Sequence, residues 1–139
     1  MSKNKYNFLI GLFFLVSTQS SASNDEYSIG NELAKCAGFF TFWSDQLSSA
    51  GLHKNSIDAA NKSNGWRIAS LGAFYSDGFS HERRNSLMIS AYSTAITSLN
   101  ARVEAGKAPS QIIDEKISEC LPLNNYQETY RQKMKSLNK

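Results

Sequence analysis

Apolar residues along this chain recur at helical intervals. Between Asp25 and Ala50 the apolar positions are Ile29, Leu33, Cys36, Phe40, Trp43 and Leu47, in steps of 4, 3, 4, 3 and 4. That spacing keeps them on one face of an α-helix, and Gly51 ends the stretch. A second stretch, Ser56 to Tyr75, aligns Ile57, Ala60, Asn64, Ile68, Leu71 and Tyr75. Asn55 or Ser56 is placed to cap its start, and Asn64-Gly65 is a turn signal inside it. A third stretch begins at Ser80, a good N-cap, carries Met88, Tyr92, Ala95, Leu99 and Val103, and ends at Gly106. The fourth starts at Pro109 or Ser110 and carries Ile113, Ile117 and Cys120 or Leu121. Pro122 then removes a backbone donor, and a last piece aligns Tyr126, Tyr130, Met134 and Leu137.

The links between these stretches are short: Gly51 to Asn55, Ser76 to Phe79 and Gly106 to Ala108. Short links favour antiparallel neighbours. The pattern therefore predicts an all-α fold, an up-down-up-down four-helix bundle whose fourth helix is kinked or split at Pro122.

The N-terminus follows a different pattern. Lys3 and Lys5 precede an uninterrupted apolar run, Phe8 to Val16, followed by a polar segment. Ser20 and Ala22 supply the small residues that a signal peptidase requires just before a cut at Ser23. As a helix the apolar run spans roughly 14 Å, about half of a bilayer core, so it is too short for an anchor. Residues 1–22 read as a cleavable signal peptide and 23–139 as one helical domain. No stable membrane anchor is expected after cleavage, and the destination is periplasmic or secreted.

Charge changes meaning in that light. The chain holds 15 basic and 12 acidic residues, for a net charge of +3. Loss of Lys3 and Lys5 with the leader brings the mature domain to about +1, which removes the electrostatic case for nucleic-acid binding. The two cysteines, Cys36 and Cys120, gain a pairing in an oxidising compartment. In the predicted bundle they lie at heights that agree within roughly 6 Å, about one helical turn. A disulfide between the first and fourth helices is expected.

Candidate chemistry is sparse. His53 and His81 fall near opposite ends of the bundle, and no Glu-x-x-His or Cys-x-x-Cys occurs, so no metal or cofactor is expected. Ser80-His81-Glu82 places its side chains about 100° apart around a helix and reads as a cap with a first-turn acid, not a triad. Catalytic residues are therefore not assigned, and the chain reads as non-enzymatic.

Aromatic residues remain. Phe42 points roughly 120–160° away from the first stripe, at about 100° per residue, and Trp66 is off the second. Exposed aromatics of that kind mark a partner surface, so Phe42, Trp66, Arg83 and Arg84 are the expected contacts with another exported or periplasmic protein. The alternative is an apolar small molecule held between Phe39, Trp43, Tyr75 and Tyr92. Gly65, Ala69, Gly72 and Ser76 form a strip of small residues suited to close helix packing. The plan of signal peptide, helical bundle and one cysteine in each outer helix broadly resembles that of periplasmic immunity proteins, which block cell-wall amidases delivered by rival bacteria. The resemblance implies an inhibitor- or immunity-type function.

The leader gives a direct prediction. Mass spectrometry of the exported protein should find Ser23 as its first residue, and a mature chain that retains Phe8 to Val16 would contradict the cleavage.

Overall fold

Four helices, the last assembled from pieces, make up the computed structural model, which describes residues 25–139; the signal peptide lies outside the described residues. Helix α1 spans Asp25–Ser49, α2 His53–Ser76 and α3 His81–Glu104. Helix α4 (Pro109–Cys120) runs into a 3-10 turn at Leu121–Leu123, and α5 (Asn124–Leu137) completes the fourth unit. The break falls at Pro122, as its missing N–H requires.

Helix α1 is enclosed by the others. It packs against α2, α3 and α4, while α5 lies along α2. Leu33, Cys36 and Phe40 of the expected stripe are buried, but so are Gly30, Ala34, Ala37, Gly38 and Phe42 on other faces. The expected one-sided helix is thus buried around most of its circumference, because it has neighbours on several sides.

Two glycines and three serines make that enclosure possible. A Cβ at Gly38 would come within 2.6 Å of the Tyr92 carbonyl oxygen of α3. A Cβ at Gly30 would come within 2.6 Å of the Phe74 ring of α2. On the α2 side, Ser63 donates to the Ala37 carbonyl at 2.8 Å and Ser70 to the Gly30 carbonyl at 2.7 Å. Near the α1–α2 turn, Ser56 donates to the Ser44 carbonyl at 2.9 Å. Contact positions fall along α1 as they rise along α2, the register of an antiparallel pair.

These contacts correct the expected face of α2. Ile57 is 61% exposed, and Tyr75 is also on the surface. The buried residues are instead Ala59, Ser63, Trp66, Ala69, Ser70, Gly72, Ala73 and Phe74. Small residues let α1 approach, and the serine hydroxyls are buried cheaply because each is hydrogen-bonded. The small-residue strip has a second use at α5. A Cβ at Gly72 would collide with the Tyr130 carbonyl oxygen, and Gly65 lies beneath Gln127 and Arg131. The Asn64-Gly65 signal does not break α2, which is continuous. Its expected cap is also absent: the helix starts at His53 without a side-chain cap, and Ser56 bonds α1 instead.

Other expectations hold. Ser80 is the N-cap of α3 and accepts from the Arg83 N–H at 3.3 Å. Met88 and Leu99 are the buried members of the α3 stripe. Cys36 and Cys120 form the disulfide, with a Cα–Cα distance of 5.9 Å. It ties α1 to the last residue of α4 and closes 84 residues of chain, worth on the order of 4 kcal/mol if it acts by restricting the unfolded state. Among the described residues no helix is long and apolar enough to cross a membrane.

Glycine substitutions test the close approaches. Gly38→Ala forces a Cβ into α3 backbone, an overpacking penalty of about 1–3 kcal/mol that outweighs the gain in helix propensity of about 1 kcal/mol at the upper end of that range. Gly65→Ala meets only the ends of flexible side chains, the nearest at 3.3 Å. Urea unfolding should show a lower midpoint for Gly38→Ala and an unchanged or higher one for Gly65→Ala. Equal midpoints would contradict the packing.

Candidate functional site

The aromatic run of α1 provides the starting point. Phe39 and Trp43 stack across one helical turn at 5.7 Å between ring centroids, and Phe40 lies 5.0 Å from Phe39 and 6.0 Å from Trp43. Trp66 of α2 joins Phe40 at 5.8 Å. Four rings from two helices therefore form one array. Trp66 and Phe40 are largely buried, Trp43 half-buried.

This arrangement overturns the expected partner surface. Phe42 is 0% exposed and Trp66 6% exposed, so neither stands in solvent. Phe42 is covered because α1 has packed neighbours away from its main stripe, and Trp66 because its ring meets Phe40. Arg84 is engaged internally: it donates to the Phe79 carbonyl at 2.9 Å and lies 5.1 Å from the Tyr75 ring centroid. Of the four, only Arg83 is exposed.

The expected ligand residues do not meet at one place either. Tyr75 is near the C-terminus of α2, beneath Arg84. Tyr92 is consumed by a partly buried hydroxyl chain, 2.7 Å from Thr41, which is 2.8 Å from Ser63. Each hydroxyl has one proton. Ser63 gives its proton to the Ala37 carbonyl, so Thr41 donates to Ser63 and Tyr92 to Thr41. Phe39 and Trp43 do stack, yet they face two different clefts, one on each side of the disulfide.

The first cleft, about 400 Å³, lies between α1, α3 and the end of α4. Phe39, Leu99 and the disulfide form its floor, and Ala91, Ala95 and Ser98 its α3 wall. Its charged rim is internally paired: Lys35 with Glu32 at 2.7 Å, Lys116 with Glu119 at 2.7 Å, and Arg102 with Glu115 at 2.6 Å.

The second cleft, about 500 Å³, opens where the α4–α5 unit bends. Phe40, Trp43, Trp66 and Cys120 floor it, and Ile117 and the 65% exposed Leu121 form an apolar lip. Polar walls come from Asn61 and Lys62 of α2 and from Asn124, Gln127, Glu128 and Arg131 of α5. Arg131 is committed to Glu128, with both carboxylate oxygens at 2.9 Å. Lys62 makes no ion pair among the described residues; its ammonium lies 5.9 Å from the Phe40 ring centroid. The side-chain amides of Asn61, Asn124 and Gln127 have no hydrogen-bond partner among the described residues. Apolar floor and uncommitted polar wall together are what a small-molecule site requires.

Of this site, the sequence singles out Trp43, Trp66 and Cys120, each in a different role. Phe40 belongs to the core stripe of the first stretch, and Leu121 to the end of the fourth. Lys62 and Gln127 carried no local signal, because they meet across the cleft only after α5 has docked on α2. No family model, curated protein or solved structure matches this chain.

A pH-dependent tie borders the first cleft. Hydrogen bonds from Arg102 and then Lys107 hold the Glu115 carboxyl at about 2, down from 4.5. A depressed folded-state value stabilises the fold above the unfolded value and is lost as pH falls through the folded one. Thermal unfolding of the native protein should therefore lose ground against Glu115→Gln as pH falls from 4.5 to about 2. The exposed position makes the effect small and salt-sensitive. A constant difference across that window would show that the tie contributes nothing.

Proposed function

We propose that this chain is exported to the periplasm or the extracellular space, loses residues 1–22, and acts there as a non-enzymatic binding domain for an apolar-bodied small molecule. The domain is read as an up-down-up-down bundle. The antiparallel register of α1 with α2 supports that topology, as does the parallel rise of α5 along α2 from Gly65 opposite Gln127 to Gly72 opposite Tyr130. The disulfide fits an oxidising compartment.

The observation that carries the functional reading is the second cleft, whose aromatic floor, the half-buried Trp43 with the edges of the largely buried Phe40 and Trp66, opens at the α4–α5 bend. A volume of about 500 Å³ lies within the usual range for small-ligand sites, roughly 300–1,000 Å³. The groups around it are amides, one lysine and an arginine already paired with a carboxylate, which suits recognition more than bond-breaking. The inhibitor- or immunity-type reading took Phe42 and Trp66 as its partner surface, and their burial withdraws that surface.

Both tryptophans of the chain border this cleft, so their emission reports on occupancy. Titration with 2-naphthamide, an uncharged bicyclic probe, should quench or shift that emission saturably. Leu121→Glu puts a charge on the exposed lip and should weaken the probe at least about fivefold, the effect of roughly 1 kcal/mol, while leaving the helical circular dichroism unchanged. No saturable response in the native protein, or equal affinity in the variant, would overturn the reading.

A further inference from the structure

We infer that the ligand of the second cleft carries a single carboxylate, held by Lys62. This rests on the reading of that cleft as a small-molecule site and goes on to name the chemical class.

Three ionisable groups line the cleft: Lys62, Glu128 and Arg131. Two of them cancel. Gln132 donates to Glu128 at 2.9 Å and Arg131 donates three times, and these donors, Gln132 foremost, hold the Glu128 carboxyl below its ordinary value. Lys62 is left as the one cation of the cleft without an ion pair among the described residues. Its ammonium is held near the face of Phe40, so the charge is directed over the aromatic floor.

The form of that charge selects the anion. A lone ammonium is a compact point charge that matches one carboxylate. A phosphate carries more charge and is usually met by several cations or by the planar fork of an arginine. The fork of Arg131 is occupied by Glu128. An aromatic floor can also attract a cationic ligand, but here Lys62 already lies over the Phe40 ring and would repel one. The free amide N–H groups of Asn61, Asn124 and Gln127 are on hand to satisfy the carboxylate oxygens that Lys62 does not reach. The apolar body would lie over Trp43 and Trp66.

Three probes of one shape test this: 2-naphthoate, 2-naphthamide and 2-naphthylmethylammonium, titrated into the mature, disulfide-bonded protein and followed by tryptophan emission. The expected order of affinity is carboxylate, then amide, then ammonium, with about fivefold between the first two, typical of a solvent-accessible ion pair. Added salt should narrow the gap. Lys62 is exposed, so Lys62→Gln should fold normally; it should bring 2-naphthoate down to the affinity that 2-naphthamide shows for the same variant. Equal binding of all three probes, preference for the ammonium, or a carboxylate preference that survives Lys62→Gln would overturn the carboxylate while leaving the cleft intact. Failure of every probe to bind would overturn both.

Discussion

Everything in this fold follows from placing α1 where neighbours press on most of its circumference. A helix in that position cannot use a single apolar stripe. It needs a different solution on each side, and the chain supplies them separately. Toward α3 it uses Gly38, which allows the Tyr92 carbonyl to approach. Toward α2 it offers its own carbonyls at Gly30 and Ala37 to the hydroxyls of Ser70 and Ser63. Toward α4 it uses the covalent bond at Cys36. The bulky residues, Phe39, Phe40 and Phe42, occupy what the close approaches leave.

The hydroxyl chain from Tyr92 through Thr41 and Ser63 to the Ala37 carbonyl shows the energetic logic of this arrangement. Each member in isolation is a polar group in a poor place, at a penalty of about 1–3 kcal/mol if unsatisfied. Together they run in one direction, with every proton assigned, and join three helices at one level. Such a network stabilises chiefly by specifying which faces meet, since the net gain per hydrogen bond is only about 1 kcal/mol.

This also explains how far the sequence could be read. Helix positions, the Ser80 cap, the break at Pro122 and the cysteine pair were legible because each depends on local chemistry or on a single long-range geometric match. The α3 stripe was legible because Met88 and Leu99 obey simple amphipathic periodicity. Helix α2 was not, since its buried face is mostly Ala, Ser and Gly with only Trp66 and Phe74 as large members, while Ile57 points to solvent. Hydropathy weighs a serine as surface; here Ser63 and Ser70 are core because α1 carbonyls wait opposite them. The candidate site was only partly legible for the same reason. Trp66 lies off an apolar stripe that is itself not the buried face, so its displacement from that stripe indicated burial, not exposure. Lys62, Leu121 and Gln127 are brought together by the docking of α5, which no single segment encodes.

The second cleft persists because two fixed points bracket it. On one side the disulfide holds the end of α4 at α1, next to Phe40. On the other, α5 is seated on α2 at Gly72, where the Tyr130 backbone lies against the helix with no room for a Cβ. Pro122 and the 3-10 turn connect these points by a bend instead of a straight helix. An open cleft leaves apolar ring surface against water, which is unfavourable, so an unconstrained chain would tend to close it. Closing it here requires α4 to move into α1 or α5 to slide off Gly72, and the covalent bond opposes the first while backbone packing opposes the second. In the proposed reading, a ligand over Trp43 and Trp66 would remove that surface from water without moving either helix. The residues that hold the cleft open are therefore separate from those that face its interior polar wall, so the wall at Asn61, Lys62 and Gln127 can vary in chemistry while the bundle that supports it stays the same.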